Sequence, residues 1–381
     1  MFYYLHNNYF VYFSNAAYLY NEIGFYHRSR ITVKNHCSAT LGALGGASFT
    51  ASTTHTSPLL NMSSKHEMAG EFETLQMKSI TKALEKFVTF GKYLLQNAKK
   101  ESRDVSLQDF VAQKISLERD SSLLGLVAAA AELYRGLSVT KKREAEKVWK
   151  DSCHCPEVQG LVDELLQLQT EWDAFLECLD AELQMSDRTL SHEPRAGRLS
   201  TETTLTDART GEPVTLAKYL GRGEHVLLVL IRQFACLLCR IHLSDLEANQ
   251  DLLDAQSVRV VVVSFGCQEG ARYWLEETAC RYDMLLDPQR KIYRAFGLGA
   301  SLTKVLRFNN MLLYAEYILS NYEFPRAAPS IEDDMYQLGG DIVLGETGKV
   351  IFSHCCMSPV DRPAVSEILA AITKEKPQVS P

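Results

Sequence analysis

The sequence predicts two folded parts, an all-α region followed by an α/β domain whose sheet contains parallel strand pairs. Three observations carry this. Val226–Ile231 is an unbroken apolar run, the pattern of a strand covered on both faces. After it, strand-like and helix-like segments alternate, as they do where helices connect parallel strands. Ahead of it, from Met68 to about Leu183, the apolar residues recur at helical spacing. A chain of 381 residues is long enough for two or three domains, and 46% apolar with 23% charged residues allows a sizeable core.

Bulk properties exclude several function classes. A net charge of -7 and the lack of a basic patch argue against nucleic acid as a partner. No run approaches the roughly 18 apolar residues of a membrane span. Ten cysteines in this length fall far below the density of a secreted disulfide scaffold. With no secretory signal, free thiols in a reducing compartment are expected, and the cytoplasm is the default location.

Residues 1–66 differ from the rest. They hold four basic residues (Arg28, Arg30, Lys34, Lys65) against one acid, Glu22, and run through a Ser/Thr/Gly/Ala-rich stretch from Ser38. This composition fits a disordered tail, a translation start at Met62 or Met68, or a mitochondrial transit peptide. No domain is expected there.

Residues 67–185 read as a helical bundle. Ile80, Leu84, Phe87, Val88, Gly91, Leu94 and Leu95 form one stripe. Ser106 with Asp109 marks a helix start, and the segment from Leu123 to Tyr134 is a second apolar helix. The charged stretch from Lys141 to Lys150 is expected to be exposed. Val158, Leu165, Trp172 and Leu179 then repeat every seven residues, with Leu161, Leu168 and Phe175 between them. This is a seam of about three heptads, explained first by packing inside a bundle and second by pairing with another helix or another copy. Cys153-His154-Cys155 precedes Pro156 as loop thiols, since no second pair follows at zinc-ligand spacing. Residues 186–204 are polar and aperiodic, a linker.

The α/β domain spans 205–375. Leu205–Leu220 is a hairpin around Thr210-Gly211-Glu212-Pro213, leading into the Val226–Ile231 strand. Cys236-Leu237-Leu238-Cys239 then opens a helix with apolar positions at Leu237, Leu238, Ile241 and Leu246. Val258–Phe265 is β-branched and strand-like. Helices are expected from Gly270, from Lys291, over Met311–Ile318 and over Val365–Ile372, with a short strand at Leu285-Leu286. Leu338–Leu344 and Lys349–Phe352 flank Gly345–Gly348 as a second hairpin. Residues 301–334 read as an insertion.

The chemistry rests on Cys236 and Cys239. The reactive species is a thiolate, scarce at neutral pH for a cysteine with a pKa of about 8.5. A helix start favours negative charge by about 0.3 to 2 kcal/mol, which alone brings the pKa toward about 7. Cys239 lies about one turn on, close enough to close a disulfide. Cys236, the exposed member, is the candidate nucleophile and Cys239 the resolving thiol. Arg240 is expected to be a solvated helix charge. The competing readings are a zinc half-site, for which the adjacent Cys355-Cys356 lacks ligand spacing, two buried structural thiols, and a chance pairing. Strand, Cys-x-x-Cys, helix favours redox. Cys355 and Cys356 stand as a conceivable extra resolving thiol.

From Leu205 to Ile372 the order of elements resembles the peroxiredoxin-like (AhpC/TSA-type) branch of the thioredoxin fold. The resemblance is carried by Asp207–Leu220, by Leu230–Arg240, by Asp287–Gly299 and by Gln337–Pro363. Within that branch it looks most like the selenoprotein L family, with Cys236 and Cys239 at the positions of its paired selenocysteines. The resemblance implies a thioredoxin-like fold and thiol–disulfide or peroxide-linked chemistry with no bound cofactor and no metal. The partners it implies are a protein or small-molecule disulfide or peroxide and a thiol reductant. Two departures stand out. Peroxiredoxins of the Pro-x-x-x-Thr-x-x-Cys type place Pro and Thr where this chain has Val229 and Gln233. Leu338-Gly339-Gly340 stands where thioredoxins carry a proline.

The expected function is therefore thiol–disulfide oxidoreductase in redox homeostasis. A thiol-dependent peroxidase using the same pair is the first alternative. A redox-inert interaction module working through its helical part is the second.

Overall fold

A computed structural model describes residues 61–115, 122–325, 331 and 333–375. The expected N-terminal tail lies outside them up to Leu60, as do the centre of the Pro-containing break near 325–334 and the last residues of the chain. From Asn61 onward the chain forms one compact unit.

The sheet has seven strands in the order β2-β1-β5-β4-β3-β6-β7. Their ranges are β1 Thr204–Asp207, β2 Pro213–Thr215, β3 His225–Leu230, β4 Val258–Ser264, β5 Asp283–Leu286, β6 Gly340–Leu344 and β7 Val350–Cys355. The apolar run of β3 is buried from Val226 onward because β4 flanks it in parallel and β6 antiparallel. β4 and β5 are also parallel, while the two expected hairpins, β1–β2 and β6–β7, supply antiparallel edges. The α/β expectation holds, as a mixed sheet.

The helices named below are α1 Asn61–Asp104, α2 Gly125–Gly136, α3 Lys142–Asp151, α4 Pro156–Glu182, α5 Leu237–Ala248, α6 Gln268–Thr278, α7 Leu302–Leu306, α8 Phe308–Leu319 and α9 Val365–Glu375. The stripe of α1 is buried from Ile80 to Leu95, and it packs on α2 and α4. The heptad seam of α4 turns inward too, with Val158, Leu165, Leu168, Trp172 and Leu179 buried. The stretch expected to be exposed, Lys141–Lys150, is instead the amphipathic helix α3. Its Ala145 and Trp149 are buried, and the Glu144 carboxylate accepts the Thr140 and Lys141 N–H groups to cap its start. Two buried residues were enough to seat a helix that composition marked as polar.

The 301–334 insertion joins the two parts. It supplies α7 and α8, and α8 packs against α2, α3 and α4. Phe308 sits edge-on to both Phe87 of α1 and Trp172 of α4, at centroid distances of 6.1 and 5.9 Å. Asp180 of α4 accepts the Ser301 hydroxyl and the Leu302 and Thr303 N–H groups, capping α7 from another helix. The polar 186–204 stretch is hydrogen-bonded to the sheet part, through Leu199 N–H to Gly348 O and Val350 N–H to Gly197 O.

Candidate redox site

β3 ends where the site begins. Ile231 N–H still bonds Val263 O at 3.0 Å, and the chain then turns through Gln233–Ala235 into α5. Cys236 is the N-cap of α5, in extended conformation, with its Sγ accepting the Cys239 N–H at 3.2 Å. Cys236 and Cys239 are joined as a disulfide, their Cα atoms 5.4 Å apart. Both predicted residues thus fall in one turn at the carboxyl end of the central strand, the place where open α/β sheets bind ligands.

The exposure expected of Cys236 is corrected. It is 4% exposed and Cys239 1%. Its loop is tied down by a segment that the sequence left as a break. Asp333 Oδ2 accepts the Phe234 N–H at 2.7 Å, and the Gln337 and Met335 carbonyls accept from the Arg232 guanidinium. The Phe234 ring rests on Gly266 and Gly270, where any Cβ would collide with it. Arg240 is not a solvated charge either. It donates to Phe234 O at 3.1 Å and pairs with Glu277 at 2.6 Å, bracing the same loop from the helix side.

Two arginines reach the sulfurs. Arg232 Nη1 lies 3.9 Å from Cys236 Sγ, and the Arg232 N–H donates to Cys239 Sγ at 3.4 Å. Arg362 Nη2 lies 3.5 Å from Cys239 Sγ and also donates to Leu230 O. Gly339 makes room for them: a side chain there would strike Leu230 O and the Arg362 guanidinium and crowd the Arg232 side chain. Arg362 is held by Asp341 at 2.8 Å, and the other carboxylate oxygen of Asp341 meets His242 Nε2 at 2.7 Å. A buried chain therefore runs His242–Asp341–Arg362–Cys239. Burial works against the Asp341 charge, but Arg362 and the His242 hydrogen bond outweigh it and hold the carboxyl below its usual range.

Other titrations mark the surroundings. Burial pushes Asp333 up to about 6 despite the Phe234 N–H, and its Oδ1 has no partner. Burial pushes the Cys356 thiol up to about 12, and Cys355 is raised by burial as well. Neither is poised as the extra resolving thiol. Cys153 and Cys155 sit between α3 and α4, and Cys267 caps α6, its sulfur accepting the Gly270 N–H at 3.4 Å.

Sequence reasoning missed Arg232, Arg362, Asp341, His242 and Asp333. Two of these carried a signal. Arg232 and Asp341 are charges set into or beside wholly apolar strand runs, and a charge in a strand buried on both faces needs a reason.

Residues 245–356 match the family model described as AhpC/TSA antioxidant enzyme, a match that begins just after the cysteine pair. The thioredoxin-like protein AAED1, chloroplastic, of Arabidopsis thaliana is 26% identical over 158 residues, covering 40% of this chain. This chain spans 63% of that relative's length. A prostamide/prostaglandin F synthase of Sus scrofa is 29% identical over 181 residues, covering 44% of this chain and 83% of its own. Peroxiredoxin-like 2C of Homo sapiens is 23% identical over 161 residues, covering 40% and 70%. Among solved structures, the peroxidoxin BcpB of Mycobacterium tuberculosis aligns over 48% of this chain and 99% of its own, at 14% identity and a TM-score of 0.34. No helix among the described residues is long and apolar enough to cross a membrane. With a mixed sheet of this order and a disulfide-capable Cys-x-x-Cys at the first turn of α5, the C-terminal half of the chain is similar to peroxiredoxin-like proteins of the thioredoxin fold.

Proposed function

We propose that the protein is a thiol–disulfide oxidoreductase, with Cys236 as nucleophile and Cys239 as resolving thiol. The observation that carries the reading is the set of donors on Cys236 Sγ, the Cys239 N–H and the Arg232 guanidinium, with Cys239 within bonding reach. A thiolate there is stabilised by the helix start and by a nearby cation. It attacks one sulfur of a substrate disulfide, forming a mixed disulfide and expelling the other sulfur as a thiolate. Cys239 then attacks Cys236 Sγ, closing the intramolecular disulfide and releasing the reduced substrate. The substrates are protein or small-molecule disulfides, a thiol reductant completes the cycle, and the free thiols elsewhere in the chain suit the cytoplasm. The test is the Cys239→Ser variant, incubated with a disulfide substrate and analysed by mass spectrometry. A mixed-disulfide adduct on Cys236 is expected; an unmodified Cys236 thiol sinks the reading.

Thiol-dependent peroxide reduction is the second reading, favoured by the two guanidiniums beside the sulfurs, which would hold a peroxide oxygen. Gln233 in place of the threonine weighs against efficient turnover. Rates of peroxide consumption and disulfide reduction, measured side by side, divide the two.

A further inference from the structure

The charges around the cysteine pair do not balance in the disulfide state, and the missing charge is the one that reduction supplies. Arg232 is 5% exposed, and among the described residues its guanidinium bonds two backbone carbonyls and meets the Cys236 sulfur, with no carboxylate in contact. Arg362, with a side chain 8% exposed, has Asp341, but Asp341 is shared with His242. The two described carboxylates of the covering segment have other partners. Asp334 pairs with Arg290 at 3.1 Å, and Asp333 binds the Phe234 N–H. Among the described residues, two buried guanidiniums thus share one fully buried carboxylate, Asp341, with Asp333 and Asp334 acting on Arg232 only through space, and burial lowers the pKa of Arg232.

We propose that Cys236–Cys239 is an oxidising pair, a disulfide donor to reduced protein or peptide dithiols. A thiolate in the reduced form is the counter-ion that Arg232 and Arg362 lack, so the fold stabilises the reduced state over the disulfide. The same logic makes a thioredoxin-fold pair a strong oxidant whenever its reduced form is the stabilised one. This rests on the reading of the pair as an exchange site, and runs that exchange from the disulfide form, with the dithiol of a protein or peptide as the thiol reductant that closes the cycle.

A substrate thiolate attacks Cys236 Sγ and breaks the Cys236–Cys239 bond, and Cys239 leaves as a thiolate against Arg362 Nη2 and the Arg232 N–H. The second substrate thiol, deprotonated, attacks the substrate sulfur of the mixed disulfide and releases Cys236. Two electrons pass from the dithiol to the pair. Of the two protons the substrate loses, one stays on one cysteine and one enters solvent.

The test is an equilibrium titration of the full chain in glutathione buffers, with alkylation and mass spectrometry reading the Cys236–Cys239 state and thioredoxin run in parallel. The pair is expected to be reduced at glutathione ratios at least tenfold more oxidising than the parallel thioredoxin requires, about 30 mV for a two-electron couple. Arg232→Met and Arg362→Met are each expected to move the equilibrium about tenfold toward the disulfide, the scale of a lost charge-assisted contact, while Arg232→Lys keeps most of the effect. A constant equal to or below that of thioredoxin overturns the proposal, as does a Met variant that folds and leaves the constant unchanged. If Arg362→Met does not fold, the wild-type constant and Arg232→Met decide. A pair that ignores the glutathione ratio altogether removes the exchange reading itself; a pair that responds, but at a reducing constant, removes only the direction.

Discussion

Asp333 shows how a single side chain near the site is set against its surroundings. Its carboxyl is pushed up to about 6 by burial, so its ionised form is the one the fold disfavours. A carboxyl raised in the folded state contributes stability below its unfolded pKa and loses it as pH rises through the folded value. Asp333→Asn keeps an oxygen for the Phe234 N–H and removes the charge. It is expected to be more stable than wild type at pH 8 by on the order of 1 kcal/mol, with the difference vanishing near pH 4. Thermal melts at the two pH values check this; equal melting at pH 8 contradicts it. Asp341 has the opposite sign. Its pKa is depressed by Arg362 and His242, so its contribution is present above the usual carboxylate range and fades only in acid. Asp341→Ala leaves Arg362 buried without a carboxylate and is expected to cost about 3 kcal/mol or more in urea unfolding at neutral pH. The two cysteines were legible because their motif is local, three residues apart at a strand-to-helix turn. Arg362 and Asp333 were not, because only the sheet register and the returning segment bring them to Cys239 and Phe234, and no local pattern encodes that.

At the scale of elements, the reading succeeded where periodicity was strong and failed where burial was narrow. β3, β4, α1 and α4 have apolar patterns long enough to fix type and face. α3 buries two residues of ten, and its charges hid it. α7 was missed for a different reason. Its five residues carry almost no periodic signal, and much of what starts it is Asp180, more than a hundred residues earlier in the chain. That carboxylate accepts two backbone N–H groups and the Ser301 hydroxyl while 6% exposed. Asp180→Ala strands those donors in a buried place and is expected to destabilise by about 2 kcal/mol, whereas Asp180→Asn retains part of the bonding. Chemical denaturation of both variants checks the order; an Ala variant as stable as Asn would mean that water takes over the cap.

For the whole molecule, the question is whether the helical part and the sheet part unfold together. α8 belongs to both. Phe308 is wedged between Phe87 and Trp172, the Trp172 indole N–H donates to Leu306 O at 2.9 Å, and the Tyr134 hydroxyl donates to Leu312 O at 3.0 Å. From its C-terminal end the chain returns over the cysteine loop, where Arg232 grips Met335 and Gln337. Losing the α1–α4 layer would bare Phe308, Met311 and Leu312, all buried now, and would leave α7 uncapped. Exposing three such side chains costs about 5 to 9 kcal/mol at 1.5 to 3 kcal/mol each, a large share of the stability of a domain. One cooperative transition is therefore expected. Trp172 and Trp149 report the helical part and Trp274 the sheet part, all three buried. With Trp149 and Trp172 replaced by Phe, Trp274 fluorescence follows the sheet alone, while far-UV circular dichroism follows the helices. Coincident urea midpoints for the two signals are expected, and in protein reduced beforehand the buried Cys236 and Cys239 thiols should open to alkylation at the same point. Midpoints separated beyond error, with Trp274 fluorescence and the protection of the two thiols surviving the loss of helix, would instead make the sheet part an independent folding unit and α8 its own stabilising element.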